Sequence, residues 1–162
     1  RPKPHRLKKQ KPRIVLTWAP HVKPLPQCVA NSFAQWVYAW GKDDFVITHP
    51  DGYELDTKFT NGARISHNQD EALKDADFVY VKNWSSYNDY GRMLHSGTGD
   101  WMLTNEKLLV TNHAKVMHCL PVRRNVIVAD EVIDSANSIV IEQANNRTYA
   151  AQLVLQKILK KL

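Results

Sequence analysis

Hydrophobic positions along the 162-residue chain change their period several times. Apolar and β-branched residues run almost unbroken through RIVLTWA (13–19), DFVITHP (44–50), DFVYVKNW (77–84), AKVMHCLP (114–121) and NSIVIEQ (137–143). Each run is short and apolar on both faces, which predicts five strands buried on both sides. Between them lie stretches with apolar residues at helical spacing. CVANSFAQWVYAWG (28–41) stops at Gly41, and NQDEALKDA (68–76) places acids in its first turn, where they suit the helix dipole. The C-terminal NNRTYAAQLVLQKILKKL (145–162) is a strongly amphipathic helix whose stripe comprises Tyr149, Ala150, Leu153, Val154, Ile158 and Leu162. Strands alternating with helices predict an α/β fold: a three-layer, Rossmann-like domain with a mainly parallel five-stranded sheet. The expected division is a basic tail over 1–13, an α/β domain over 14–145 and a C-terminal helix over 146–162.

Charge changes this picture only at one end. The chain carries 22 Lys and Arg against 16 acids, a formal net charge of +6. Seven of those bases lie in RPKPHRLKKQKPR (1–13), which leaves 15 bases against 16 acids in the remainder. The tail has no interleaved aromatics and no nucleic-acid-binding motif accompanies it, so it reads as a solvated linker and no nucleic-acid partner is expected. No apolar run approaches a membrane span. Two cysteines, Cys28 and Cys119, lie far apart, which favours free thiols in a reducing compartment, and a cytoplasmic location is expected.

Ligands of parallel α/β sheets bind beyond the carboxyl ends of the strands. Those positions hold Trp18–His21 after the first run, Lys82–Trp84 after the third, His118–Arg124 after the fourth and Gln143–Arg147 after the fifth. No GxGxxG or GxxxxGK[ST] loop follows any of them. The densest segment is VMHCLPVRRN (116–125). Adjacent strand residues point to opposite faces, so His118 and Cys119 do not suit one metal ion, and no metal or cofactor is expected. A thiolate nucleophile at Cys119 lacks a general base in any recognisable position. Arginine forks at a strand end suit a phosphate or carboxylate. Lys82, Arg123 and Arg147 at successive strand ends therefore read either as an anion site or as solvated surface cations, and the residues alone leave both open.

HCLPVRRN (118–125) followed by DEVIDSANSIVIEQANNR (130–147) resembles the C-terminal half of the ornithine transcarbamylase family. LTWAPHVKPLPQCVANSFAQW (16–36) and DFVYVKNWSS (77–86) resemble the branch acting on N-acetyl- and N-succinylornithine. The resemblance runs from about Pro12 to Leu162. It implies transfer of the carbamoyl group from carbamoyl phosphate to the δ-amine of an N-acylated ornithine, in arginine biosynthesis, by a homotrimer. Cys119 and Leu120 would offer backbone carbonyls to the reacting nitrogens, and Arg147 would contact carbamoyl phosphate. His21, Lys82 and Arg123 would bind the carboxylate and acyl groups. A cis Leu120–Pro121 peptide is implied as well. Where ordinary relatives hold an aspartate for a charged α-amine, Lys82 fits a substrate whose amine is acylated and whose remaining charges are negative. Two departures stand out. Ile127 takes the place of a modified lysine found in some N-acetylornithine enzymes, and the Ser-x-Arg-Thr-Arg and His-Pro-x-Gln segments of the family's N-terminal domain do not occur. The C-terminal helix would then pack against that other domain. A different class of reading is a non-catalytic α/β module that binds an anionic metabolite.

Overall fold

The computed structural model describes residues 11–41, 44–92 and 100–161. Most of the basic tail, residues 1–10, lies outside them. Strands β1 (Arg13–Trp18), β2 (Asp44–Thr48), β3 (Arg64–Ser66), β4 (Phe78–Lys82) and β5 (Lys115–Met117) form one sheet in the order β3-β2-β1-β4-β5. Every pairing is parallel. The helices are α1 (Cys28–Trp40), α2 (Thr57–Thr60), α3 (Gln69–Leu73), α4 (Asn105–Leu108), α5 (Asp130–Ile133) and α6 (Val140–Leu159).

The alternation within β1 explains the layers. Val15 sits in register with Val46 of β2 and Val79 of β4. These three join Val81 and Val116 in a core closed by Ala72 and Leu73 of α3, Ile127–Ala129 and Val132 of α5. Leu16 and Trp18 point the other way, to a second core with Ile47, Tyr80, Ala30 and Ala34 of α1, and the aromatics Tyr53, Trp84 and Trp101. Helices on both faces make the sheet a buried middle layer, as its two-sided apolar strands require. Local signals set the helix ends. Asn68 accepts from the Glu71 N–H to cap α3 (3.1 Å). Gly41 ends α1 in the left-handed region (φ 64°) while its N–H donates to the Val37 carbonyl.

Two expectations need correction. NSIVIEQ is not the fifth strand. Val116 donates to the Asn137 carbonyl and Ile139 to the Val116 carbonyl, so Ser138 makes a single parallel bridge. The chain then turns into α6 at Val140, six residues before the helix expected from position 146. A short β-branched run carries the same pattern in a strand and in the first buried turn of a helix, and Val140 is that buried turn. The fifth place in the sheet belongs instead to β3, whose three residues RIS are too short and polar to stand out. Arg13 opens β1, as the run RIVLTWA predicts. Its N–H donates to Asp77 and its Nε to Asp44, each at 2.8 Å.

Candidate active site

The carboxyl ends of β1 and β4 are tied into one rim by backbone and amide hydrogen bonds. The Ala19 N–H donates to the Lys82 carbonyl (3.1 Å), extending the β1–β4 ladder. Asn83 Nδ2 donates to the Ala19 carbonyl (2.8 Å), and its Oδ1 accepts from the Leu25 N–H (3.3 Å). Ser85 donates to the Leu25 carbonyl through its N–H and its hydroxyl. The proline-punctuated segment 20–27 is therefore held against the β4 exit. Indole donors brace the other side: Trp18 Nε1 to the Trp84 carbonyl (2.8 Å) and Trp84 Nε1 to the Tyr53 carbonyl (2.7 Å). A cleft lined by Trp18, His21, Tyr53, Asn83, Trp84 and Arg92 opens between these segments.

Lys82 ends β4 and is 7 % exposed. Its ammonium joins no hydrogen bond or ion pair among the described residues. Its neighbours are basic. Burial first, then the charges of Arg123 and Lys82, hold His21 below the usual histidine range, against the pull of the Lys23 carbonyl. Burial, then Lys82 and His21, push His118 down to about 4. Lys82 and Arg123 thus form an electropositive pair with the neutral imidazoles of His21 and His118 beside them, drawn from the loop after β1, the end of β4 and the segment after β5. The two adjacent arginines have separate fates. Arg124 is spent on Asp134 (2.7 Å to each oxygen) and Asp130 (3.0 Å), and these carboxylates hold its guanidinium charged. Arg123 has no such partner among the described residues.

The segment after β5 is shaped by His118, whose part sequence reasoning missed. His118 Nδ1 accepts from the Leu120 N–H (3.0 Å). That bond pins Leu120, which sits at φ 41°, a region that non-glycine residues occupy at a cost of roughly 1–2 kcal/mol. The Leu120–Pro121 peptide is cis. Cys119 is exposed, and Tyr80 lies against its thiol and against Gln143 from the first turn of α6. Burial, then Cys119, push the Tyr80 phenol well above its ordinary range, so it stays protonated at neutral pH. The structure thus brings His21, Lys82 and Arg123 together, with Cys119 and Leu120 beside them. Arg147 stands apart, one turn beyond Gln143 on the exposed face of α6, and among the described residues it joins no hydrogen bond or ion pair. His118 and Gln143 were marked in the sequence by their places after predicted strands, without the parts they play. Tyr80 carries no motif of its own, and only the two-residue alternation of FVYVK, placing Tyr80 and Lys82 on one face, hinted at it.

His118 also sets a pH dependence. Its folded value, about 4, lies below the unfolded 6.5, so the unfolded chain binds the extra proton between these values. Stability from the neutral imidazole is complete above pH 6.5 and is lost as pH falls towards 4, by about 3 kcal/mol in all. Urea unfolding midpoints should drop across that window, and His118→Asn should flatten part of the slope. An identical slope in the variant would refute the assignment.

The comparisons with known proteins decide the family. The model of the aspartate/ornithine carbamoyltransferase family, Asp/Orn-binding domain, matches residues 27–158. The chain belongs to that family. The N-succinylornithine carbamoyltransferase of Bacteroides fragilis (strain 638R) is 51% identical over 157 residues, covering 96% of this chain and 49% of the relative. N-acetylornithine carbamoyltransferase of Xylella fastidiosa (strain Temecula1) is 31% identical, covering 88% of this chain and 47% of the relative. Among solved structures, N-acetyl-L-ornithine transcarbamylase superposes with a TM-score of 0.77 at 33% identity, over 84% of this chain and 46% of that one. A crystal structure of acetylornithine transcarbamylase with acetylcitrulline gives 0.76 at 32%. The chain spans about half the length of the carbamoyltransferases it matches. The α/β fold with its parallel five-stranded sheet is that of these transcarbamylases.

Proposed function

We propose that this chain is the substrate-binding half of a carbamoyltransferase that moves the carbamoyl group of carbamoyl phosphate to the δ-amine of an N-acylated L-ornithine, with N-succinyl-L-ornithine as first choice. The observation that carries it is Lys82. This largely buried lysine, whose ammonium has no carboxylate partner among the described residues, stands beside Arg123 and two imidazoles held neutral, a set of charges that an anion would complete. Acylation removes the positive charge of ornithine's α-amine and leaves carboxylate to meet that group. The N-succinyl relatives, at 51% and 49% identity against 31% for the N-acetyl ones, favour the dicarboxylate.

In this reading His21, Lys82 and Arg123 bind the carboxylate and acyl ends, which aims the δ-amine at the segment after β5. The amine's lone pair attacks the carbonyl carbon of carbamoyl phosphate. The resulting tetrahedral centre collapses, breaking the C–O bond to phosphate, and the amine loses a proton as the new C–N bond becomes a urea. The backbone carbonyls of Cys119 and Leu120 accept hydrogen bonds from the amine and from the carbamoyl nitrogen. Arg147 meets the oxygens of carbamoyl phosphate. Positioning and fixed charges supply the acceleration, with no covalent intermediate. The whole enzyme is a cytoplasmic homotrimer serving arginine synthesis.

Calorimetry discriminates this from an anion-binding module without catalysis. The chain should bind N-succinyl-L-ornithine most tightly, N-acetyl-L-ornithine more weakly, and free L-ornithine at least tenfold more weakly than either. Preference for free ornithine would remove the argument from Lys82. Equal response to unrelated dicarboxylates would favour the module.

A further inference from the structure

A second group of polar side chains gathers at the carboxyl edge of the sheet, away from the β1–β4 rim. His49 follows β2 directly and His67 follows β3 directly. These strands pair in parallel with Thr48 opposite Ser66, and the His49 N–H donates to the Ser66 carbonyl (3.2 Å). The ladder therefore delivers the two imidazoles side by side, their ring centres 5.0 Å apart and edge to face. Glu54 joins from the turn that follows His49. One ligand atom from each of His49, Glu54 and His67 lies within 4.8 Å of the others.

The hydrogen bonds fix the chemistry of this group. His49 Nδ1 is 2.8 Å from the Pro50 carbonyl oxygen, and His67 Nδ1 is 3.1 Å from the His49 carbonyl oxygen. A carbonyl only accepts, so both rings carry their proton on Nδ1 and leave the Nε2 lone pair free. This Nδ1–H to carbonyl pattern is the one that orients metal-ligating histidines. His67 Nδ1 also stands 3.2 Å from Asp51 Oδ1. Glu54 Oε1 accepts from the Gly52 N–H (3.1 Å), and the carboxylate also meets its own backbone N–H. Burial holds His49 below the usual range, the form in which imidazole binds metal.

We propose that His49, His67 and Glu54 form a binding site for a divalent transition-metal ion, zinc above all. Two nitrogens and one carboxylate suit zinc, nickel or copper and disfavour calcium and magnesium, which take oxygen ligands. A tetrahedral zinc with ligands at about 2.0–2.2 Å needs ligand atoms separated by about 3.3–3.6 Å. His49 is fixed in the core, whereas Glu54 and His67 are exposed and free to close that gap. The bound ion would tie the end of β2 to the end of β3 and clamp the turn carrying Tyr53. His49 packs edge-on to Trp84 (6.2 Å), so the clamp also backs the Tyr53–Trp84 wall of the cleft. This proposal stands on the His49 group alone and is independent of the transferase reading.

The test uses the full chain, free of any affinity tag and stripped with chelator, dialysed against zinc and assayed for bound metal. One zinc per chain is expected. His67→Gln and Glu54→Gln, both at exposed positions, should each weaken binding at least tenfold, and Cys119→Ser should leave it unchanged. Cobalt in place of zinc should give a visible ligand-field spectrum that His67→Gln abolishes. Zinc held equally by wild type and His67→Gln would overturn the site. So would zinc lost in Cys119→Ser, or no stoichiometric binding at all.

Discussion

Supplied with carbamoyl phosphate and N-succinyl-L-ornithine, the 162-residue chain alone is expected to form product at less than about one-thousandth of the rate reached once the other half of the enzyme is added. A thousandfold corresponds to about 4 kcal/mol of transition-state stabilisation, a modest figure for losing the groups that hold a dianionic leaving group. In the proposed reading the group at the rim, His21, Lys82 and Arg123, takes the carboxylate and acyl ends, and the charges of Lys82 and Arg123 both act on His21. Arg147 is the one cation of this chain assigned to carbamoyl phosphate, and the Ser-x-Arg-Thr-Arg segment is absent from the sequence. α6 supports the same expectation. Ile141, Tyr149, Leu153, Val154, Leu155, Ile158 and Leu159 are all more than half exposed on one 20-residue helix, an apolar surface of the kind that a partner domain covers. Added as a separate polypeptide, the N-terminal half should restore citrulline-derivative formation, and Leu153→Asp should prevent that rescue without altering acylornithine binding measured by calorimetry. Full turnover by the chain alone would sink the half-site reading, and rescue undisturbed by Leu153→Asp would sink the role given to α6.

How much of this was legible in the residues differs from element to element. β1, β2, β4 and β5 were legible because buried parallel strands are apolar on both faces, and RIVLTW and FVYVK announce that directly. β3 was not, since RIS earns its place through its backbone pairing with β2 rather than through its side chains. The β-branched run SIVI misled for the converse reason: its apolar residues satisfy a buried helix start as well as a strand. That error placed Gln143 at a strand end, whereas it lies in the first turn of α6. Within the site, the residue types were readable and their partners were not. Nothing in VRRN says that Arg124 turns to Asp130 and Asp134 while Arg123 faces His21. Likewise His49 and His67 are neighbours only because β2 and β3 are, with a helix and a strand between Glu54 and His67 in the chain.

Lys82→Met should weaken N-succinyl-L-ornithine binding by about a hundredfold, near 2.7 kcal/mol, with little effect on folding. Methionine keeps the length and apolar stem of lysine, so the β4 register and the packing of Tyr80 and Trp84 are preserved. What disappears is the charge of a largely buried lysine beside Arg123, His21 and His118. Because that charge also depresses His118, the variant should let His118 titrate nearer its ordinary value, a shift readable by NMR without any ligand. Lys82→Asp goes further. A carboxylate at this strand end repels the acylated substrate's own carboxylates and offers a partner to a free α-ammonium, so the preference measured by calorimetry should invert towards L-ornithine. These readouts separate specificity from mere damage. A misfolded rim would lose every ligand, and the inversion requires that one ligand be gained. Lys82→Met binding N-succinyl-L-ornithine as tightly as wild type would mean that the anion is recognised elsewhere, and the electropositive pair would then be an incidental meeting of cations.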